Sequence, residues 1–354
     1  MKTALVTGIT GQTGSYMVEL LLEKGYKVYG MKRRSSTSNL HRVEHIKDEN
    51  FSVIHGELTD PSSINKLVGD YQPDELYNFA AQSFVGSSFD EPAHTFQVDT
   101  IGVLNCLEAI RNYSHKTKFY NAGSSEEFGD NYDGHLVKYQ NENTRLSPVS
   151  PYGCAKVCAR HLVETYRKSY GLFACQNWLF NHESPRRGEE FVTRKITRYI
   201  GVLNYWLKNV IKNDTLSFND KKYIFTTTQI FPKLALGNLD AQRDWGFAGD
   251  YVKAIWLSLQ LDEPDDFVIC TGRTWTIRQF LERAFQEINI KNYTDFIYID
   301  PLFYRPCEVE YLRGISTKAS LTLDWRPKTS FNDLVKMMVK SDISLANNEI
   351  QNTN

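Results

Sequence analysis

Short apolar and β-branched runs alternate with longer stretches of helical period through the first half of the chain. Thr3-Ala4-Leu5-Val6-Thr7 is the first such run and ends in glycine; apolar positions Tyr16, Met17, Leu20, Leu21 and Leu22 then recur at helical spacing over 15–25. Residues 27–31, 51–55 and 75–79 are predicted as the second to fourth strands, with helical segments between them, and 117–121 and 173–178 continue the series. Strands alternating with helices imply a parallel sheet covered on both faces. The expected class is α/β, a Rossmann-type doubly wound sheet. Past residue 181 the alternation becomes irregular, and aromatic and charged residues crowd together without a period. We therefore expect a first domain at 1–180, with possible return segments after 230, and a smaller mixed α/β domain at 181–346. Within the second part, 265–270 is predicted as a strand and Thr276 as the N-cap of a helix running to Ile288. The polar tail 347–354 is expected to fray.

Composition narrows the choice of function. The chain has 354 residues, enough for two associated domains, and 41% hydrophobic residues, enough for a sizeable core. A formal charge of −1, with both signs scattered, offers no basic field for nucleic acid. No segment approaches the length of a membrane span, and glycines follow the first apolar run too soon for a signal peptide. The cysteines Cys106, Cys154, Cys158, Cys175, Cys270 and Cys307 show no paired ligand spacing, nor do the histidines. No metal site is expected, and the thiols read as reduced in a cytoplasmic compartment.

Gly8-Ile9-Thr10-Gly11-Gln12-Thr13-Gly14 follows a predicted strand and opens a predicted helix. In that context the glycines let the backbone approach a pyrophosphate, and the helix N-terminus supplies amide donors and a favourable dipole. At the end of the second strand an NAD site usually carries an acid to meet the ribose 2′-hydroxyl. Here Arg33, Arg34, Ser35 and Ser36 stand instead, which suits a 2′-phosphate and favours NADP over NAD. Glu57, after the third strand, is a candidate acceptor from the adenine amino group, with a surface turn acid as the alternative.

Tyr152 and Lys156 lie one helical turn apart and share a face. A tyrosine near pKa 10 is a poor base at neutral pH, and lowering it by about 3 units takes about 4 kcal/mol of phenolate stabilisation. A neighbouring ammonium and a positive nicotinamide ring are suited to that task. Ser124, Ser125 and Glu126 follow the predicted fifth strand, where such a sheet presents its ends to ligand. The hydroxyl can donate to a developing carbonyl oxygen. The carboxylate can move a proton on an adjacent carbon, which elimination requires and simple dehydrogenation does not. Glu127 is the neighbouring acid, and solvation alone would account for one of the two.

The stretch Asn181-His182-Glu183-Ser184-Pro185-Arg186-Arg187-Gly188-Glu189 adds a polar turn after the apolar Trp178-Leu179-Phe180. Taken with the glycine turn, Arg33–Ser36, 77–83, 150–156, 191–198, 237–246 and 303–309, it resembles the GDP-mannose 4,6-dehydratase family of the extended short-chain dehydrogenase/reductase superfamily. The likeness runs through most of the chain. The glycine turn and the Tyr–Lys pair specify only the superfamily, and the stretches at 181–198, 237–246 and 303–309 are narrower.

The resemblance implies a redox-neutral loss of water from a GDP-linked sugar, with Ser124, Glu126, Tyr152 and Lys156 as the catalytic set. It implies cofactor contacts from Gly8, Thr10, Gly11, Gln12, Thr13, Gly14, Arg33, Arg34, Ser35, Glu57, Leu58, Ala80, Gln82, Ser83, Tyr152, Lys156, His182 and Arg187. Substrate contacts fall to Ser83, Ser124, Asn181, Val192, Lys195, Arg243, Arg305 and Glu308. The arginines and the lysine suit a diphosphate, and Glu308 suits hydrogen-bond donors of guanine or sugar. A homodimer or homotetramer is the expected assembly.

Several positions depart from the family pattern. Phe84 and Phe247 stand where histidine is common, Glu127-Phe128 replaces a more usual Leu-Tyr, and Ser124 replaces threonine. Segment 205–232 is longer than the usual connection. These differences leave the hexose open, including a GDP-linked heptose. The competing functions are a nucleotide-sugar 4-reductase or epimerase, which need no acid at Glu126, and a dinucleotide-binding regulator without turnover.

Overall fold

The computed structural model describes residues 1–134, 136–209, 231–304 and 306–351. The chain packs into two compact units. The first comprises Met1–Arg186, Arg243–Thr274 and Cys307–Thr329; the second comprises Arg187–Gln242, Trp275–Pro306 and Ser330–Asn354.

The first unit is built on β1 (Thr3–Thr7), β2 (Lys27–Lys32), β3 (Phe51–His55), β4 (Glu75–Asn78), β5 (Lys118–Ala122) and β6 (Ala174–Leu179), closed at one edge by Val268–Ile269. All neighbours pair parallel, in the order Val268–Ile269, β6, β5, β4, β1, β2, β3. The strand order reverses at β1, whose neighbours are β2 and β4. In such sheets ligand binds in the crevice outside the strand ends at that reversal.

Alternation along β1 explains how both faces are filled. Ala4 and Val6 join Met17, Val18 and Leu21 of helix α1 (Gln12–Glu23) and Val252, Ile255 and Leu259 of the helix Ala248–Gln260. Leu5 points the other way, into the cluster of Leu67 and Val68 of α2 (Pro61–Tyr71), Val103, Leu107 and Ile110 of α3 (Gly102–Tyr113) and Val163 of α4 (Pro151–Tyr170). Strands buried on both faces read as continuous apolar runs, which is why the periodicity located them. Helix α1 begins at Gln12, three residues before the apolar period shows, because its first turn holds Gly14.

In the second unit the helix Val192–Asn209 packs on Phe331–Gln351. Arg194 is ion-paired to buried Asp342, and the Thr197 hydroxyl donates to the same carboxylate at 2.6 Å. A Cβ on Gly201 would fall 2.4 Å from the Asp342 carbonyl oxygen, so glycine permits this close crossing. Thr276 caps the helix Ile277–Gln286 in a capping box with Gln279, as its position predicts. Leu234–Leu236 pairs parallel with Ile297–Ile299. Of segment 205–232, residues 205–209 complete the Val192–Asn209 helix, while 210–230 lie outside the described residues.

Candidate active site

The glycine turn closes where β1 meets β4. Gly8 has φ +66°, and a Cβ there would sit 2.7 Å from the Ala80 amide nitrogen. A Cβ on Gly14 would sit 2.4 Å from the Gly8 carbonyl oxygen. Both positions thus demand glycine, one for conformation and contact, the other for contact alone. Gly11 is the N-cap of α1 and supplies no side-chain cap, so the first amides of the helix are left facing the crevice. Thr7 Oγ accepts from the Phe79 and Ala80 amides, both at 3.0 Å, which ties the β4 end to the turn.

Side chains from the segment after β6 brace this turn. Gln12 donates to the His182 carbonyl at 2.9 Å and accepts from Ser184 Oγ at 2.6 Å. His182 Nδ1 faces the Phe180 carbonyl at 3.0 Å, which can only accept; this assigns the proton to Nδ1 and makes Nε2 the acceptor for the Thr13 hydroxyl at 2.8 Å. Arg42 donates to the carbonyls of Thr10 and Arg186 at 2.9 and 2.7 Å. Arg42 escaped the sequence reading because its work is structural and falls outside any compact motif.

Arg33, Arg34 and Ser35 are exposed just past the end of β2. Glu57 accepts from the amide and hydroxyl of Thr59, the behaviour of a turn acid. Leu58 is a core residue packed against Gly102, and its carbonyl is taken by Asn105, so any ligand contact there would use its amide. Gln82 donates its amide to Asp99 at 2.7 Å, and its Oε1 is buried without a hydrogen-bond partner among the described residues. Asn181 Oδ1 is orphaned in the same way, and Ser83 is exposed. The open helix amides, the glycine cradle and these orphaned oxygens fit a dinucleotide and its substrate.

The residues expected to be catalytic, Ser124, Glu126, Tyr152 and Lys156, converge at the ends of β5 and α4. Ser150 caps α4 by accepting from the Gly153 amide at 3.0 Å, and Pro151 sits in the first turn, which places Tyr152 and Lys156 on the buried side. Lys156 donates to the Ala122 carbonyl at 3.0 Å, its Nζ lies 3.8 Å from Asp99 Oδ2, and it stands 5.6 Å from the Tyr152 ring centre. Burial alone would depress Lys156; the Asp99 carboxylate, then Tyr152, outweigh it and hold the ammonium above its ordinary pKa. Burial likewise lifts the Tyr152 phenol above its ordinary value, against Lys156 and a hydrogen bond to Ser124, which lower it.

Asp99 was not foreseen. It lies in a five-residue π-helical turn, Gln97–Ile101, of the kind that often marks functional sites, and neighbouring residues in sequence carry no sign of it. Ser124 and Glu126 occupy a 3₁₀ turn capped by Ser124, whose Oγ accepts from the Glu126 amide at 3.2 Å. Glu126 is buried within this turn. Glu127 is no solvated neighbour: it is fully buried and paired with Arg160 at 2.5 Å.

Among the residues assigned to substrate, Arg243 and Glu308 form an ion pair within the first unit. Val192 and Lys195 belong to the second unit, as does Arg187, whose guanidinium lies over the Phe191 ring. Lys195 sits 3.5 Å from the centre of the Phe303 ring, and burial depresses its ammonium. Arg305 lies outside the described residues. Phe247 packs edge-on against Tyr16 at 5.5 Å.

These features define a Rossmann-fold chain with a Ser–Glu–Tyr–Lys site at the strand ends. Solved structures share the fold: a Thermotoga maritima UDP-glucose 4-epimerase with UDP-glucose at 24% identity (TM-score 0.78, 97% of this chain and 99% of that one), and a Bacillus anthracis dTDP-glucose 4,6-dehydratase with NAD at 21% (TM-score 0.77, 96% of each). The profile described as GDP-mannose 4,6 dehydratase matches residues 5–217 and 222–338, and the chain belongs to that family. It is 45% identical to GDP-mannose 4,6 dehydratase 1 of Arabidopsis thaliana over 98% of this chain and 91% of the relative. It is 43% identical to the Vibrio cholerae GDP-mannose 4,6-dehydratase over 98% and 94%.

Proposed function

We propose that the protein is a hydro-lyase that converts GDP-mannose to its 4-keto-6-deoxy derivative, with NADP as a permanently recycled cofactor. The observation that carries this reading is Glu126 buried beside Ser124, Tyr152 and Lys156, because a carboxylate is what elimination adds to a Tyr–Lys redox site. The bound nicotinamide would accept hydride from C4 of the hexose and later return it to C6.

Tyr152 would take the 4-hydroxyl proton as C4 is oxidised. Burial works against its phenolate, so Lys156, the Ser124 hydroxyl and the cofactor's positive charge must together supply the missing stabilisation. Ser124 would donate to the developing 4-oxygen. The ketone acidifies C5–H; Glu126 would remove that proton and deliver it to the departing 6-hydroxyl, which leaves as water. As hydride returns to C6, a proton drawn from solvent through Glu126 would enter C5, while the proton held by Tyr152 passes to solvent. Arg33, Arg34 and Ser35 would receive the 2′-phosphate. Arg243, Glu308, Asn181, Lys195, Val192, Ser83 and Arg305 are carried over from the family as substrate contacts. The paired Arg243 and Glu308 would meet the phosphates and the base or sugar without leaving either charge uncompensated. A homodimer or homotetramer remains the expected assembly, and sedimentation measures it directly.

Mass spectrometry of reactions without added reductant tests the reading. GDP-mannose should lose one water; GDP-mannoheptose, assayed in parallel, reports whether Phe84 and Phe247 shift the sugar. No mass change with either substrate overturns the assignment and favours an epimerase.

A further inference from the structure

We propose that Glu127 and Arg160 form a buried strut that holds the catalytic acid Glu126 in register with Tyr152 and Lys156, making both positioning residues. The inference deepens the dehydratase reading and rests on it for its kinetic part. Glu127 uses both carboxylate oxygens across two elements. Its Oε1 accepts from the Ser124 amide at 2.8 Å, completing the capping box of the turn that carries Ser124 and Glu126. Its Oε2 accepts from Arg160 Nε at 2.5 Å, two helical turns beyond Tyr152 on α4. Gln176 bridges the same two elements again, donating to Glu127 Oε1 at 3.1 Å and to the Lys156 carbonyl at 3.0 Å.

The pair is isolated from solvent. Glu127 is fully buried, and Arg160 is the largest fully buried side chain among the described residues. The guanidinium lies 3.4 Å from the centre of the Trp178 ring, and its Nη1 is 3.6 Å from Asp266 Oδ2, too far for a hydrogen bond. Neither Nη atom has a hydrogen-bond partner among the described residues. A buried ion pair with unspent donors is a poor stabiliser when compared with apolar packing of the same volume. Its location at the junction of the two catalytic elements gives it a reason to exist.

A line of side-chain amides extends the connection across the sheet. Thr7 Oγ donates to Asn78 at 2.6 Å, Asn78 to Asn121 at 2.8 Å, and Asn121 to Gln176 at 2.6 Å. Gln176 thereby has a fixed amide orientation and must present Nε2 to Glu127 and Lys156. The acid turn, the base helix and the glycine-turn strand share one hydrogen-bonded frame.

The test uses the full chain carrying Glu127→Gln, Arg160→Met, and both together. Glutamine keeps an acceptor for the Ser124 amide but removes the anion opposite Arg160; the double variant leaves no orphaned charge. In substrate-free protein, hydrogen exchange at 124–128 should speed up at least tenfold in each single variant, with α1 unchanged, and recover in the double. With GDP-mannose, kcat should fall by about 100-fold in the single variants, the order expected for a misplacement near 1 Å, while KM stays within about threefold. The C5-deuterium isotope effect on kcat should rise and the C4-deuterium effect fall, because the acid is displaced and the base is not. Unchanged exchange at 124–128 in the single variants overturns the strut, as does equal slowing of C4 and C5 steps. If the wild-type chain dehydrates no sugar nucleotide, the functional reading fails while the exchange result still decides the strut. If a single variant does not fold, the double variant decides: protected 124–128 amides support the proposal, and exposed ones overturn it.

Discussion

The ends of β1 and β5 lie in the same sheet and handle polar groups in opposite ways. At β1 the chain removes side chains: Gly8, Gly11 and Gly14 leave a bare turn and an uncapped helix start. At β5 it adds them: Ser124 caps its own turn, Glu127 completes the box, and Gln176, Arg160 and Lys156 close around it. A phosphate asks for open amides and closeness, which backbone alone supplies. Proton transfer asks for a few atoms held at fixed positions, which takes side chains fastened to more than one element. The β1 end therefore depends on what is absent, and the β5 end on what is connected.

Substitutions at the β5 end should do the greatest damage. Tyr152→Phe removes the proposed base and should lower kcat by about 10³- to 10⁴-fold, the upper range for a positioned acid or base, with KM little changed; near-normal turnover in a steady-state assay would remove Tyr152 from the mechanism. Glu126→Gln should cost about 10²- to 10³-fold and act later in the reaction. C4–H cleavage should persist in rapid-quench experiments while solvent deuterium no longer enters C5. A variant that still dehydrates at the normal rate would falsify the role of Glu126.

The β1 end should break differently. Gly14→Ala places a methyl group 2.4 Å from the Gly8 carbonyl oxygen, a backbone atom that cannot swing away. Overpacking of this kind costs about 1–3 kcal/mol, and NADP affinity measured by calorimetry should fall at least about tenfold as the turn opens, each 1.4 kcal/mol being about a factor of ten. Gly25→Ala is the control: φ is +75°, but nothing lies within 4 Å of the added Cβ. Its backbone strain should lower stability by about 1 kcal/mol and leave NADP binding unchanged. Equal loss of affinity in both variants would defeat the claim that closeness matters at Gly14. Replacing Arg33 and Arg34 by alanine should reduce the preference for NADP over NAD about ten- to a hundredfold, as expected for losing charge-assisted hydrogen bonds worth about 1.5–3 kcal/mol. An unaltered ratio of the two dissociation constants would place the 2′-phosphate elsewhere.

The same contrast explains what could be read without coordinates. The sheet was legible because its central strands are buried on both faces, and the glycine turn because its spacing is local. Tyr152 and Lys156 were legible for the same reason, being four residues apart on one helix. Asp99, Arg160, Gln176 and Arg42 were not, because each acts on a residue between 17 and 144 positions away. Glu127 shows the difficulty most clearly: beside Glu126 it looks redundant, and only the partner 33 residues on reveals it as the buried member of an ion pair. Thr276 lay at the other extreme, since a capping box is complete within four residues.

Asp244 carries the smallest prediction and tests whether the logic of connection extends beyond the catalytic turn. Its buried carboxylate accepts from the Thr271 amide and hydroxyl at 2.8 and 2.5 Å, the Gly272 amide at 2.9 Å and the Gly314 amide at 3.3 Å, so it gathers three segments beside Arg243. Burial nonetheless pushes its pKa up to about 6, against the four donors that would lower it. The folded chain then binds this proton more tightly than the unfolded chain, where the group titrates near 3.8. Its favourable contribution to stability is complete below about pH 4 and is lost as the pH rises through about 6, an effect of about 3 kcal/mol at about 1.4 kcal/mol per pH unit. Asp244→Asn abolishes the titration at the expense of one acceptor. Denaturant unfolding of both proteins between pH 4 and 7 should show wild-type stability falling relative to that of the variant by about 2–3 kcal/mol as the pH rises. Parallel curves would mean that the four donors, and not burial, govern this carboxylate.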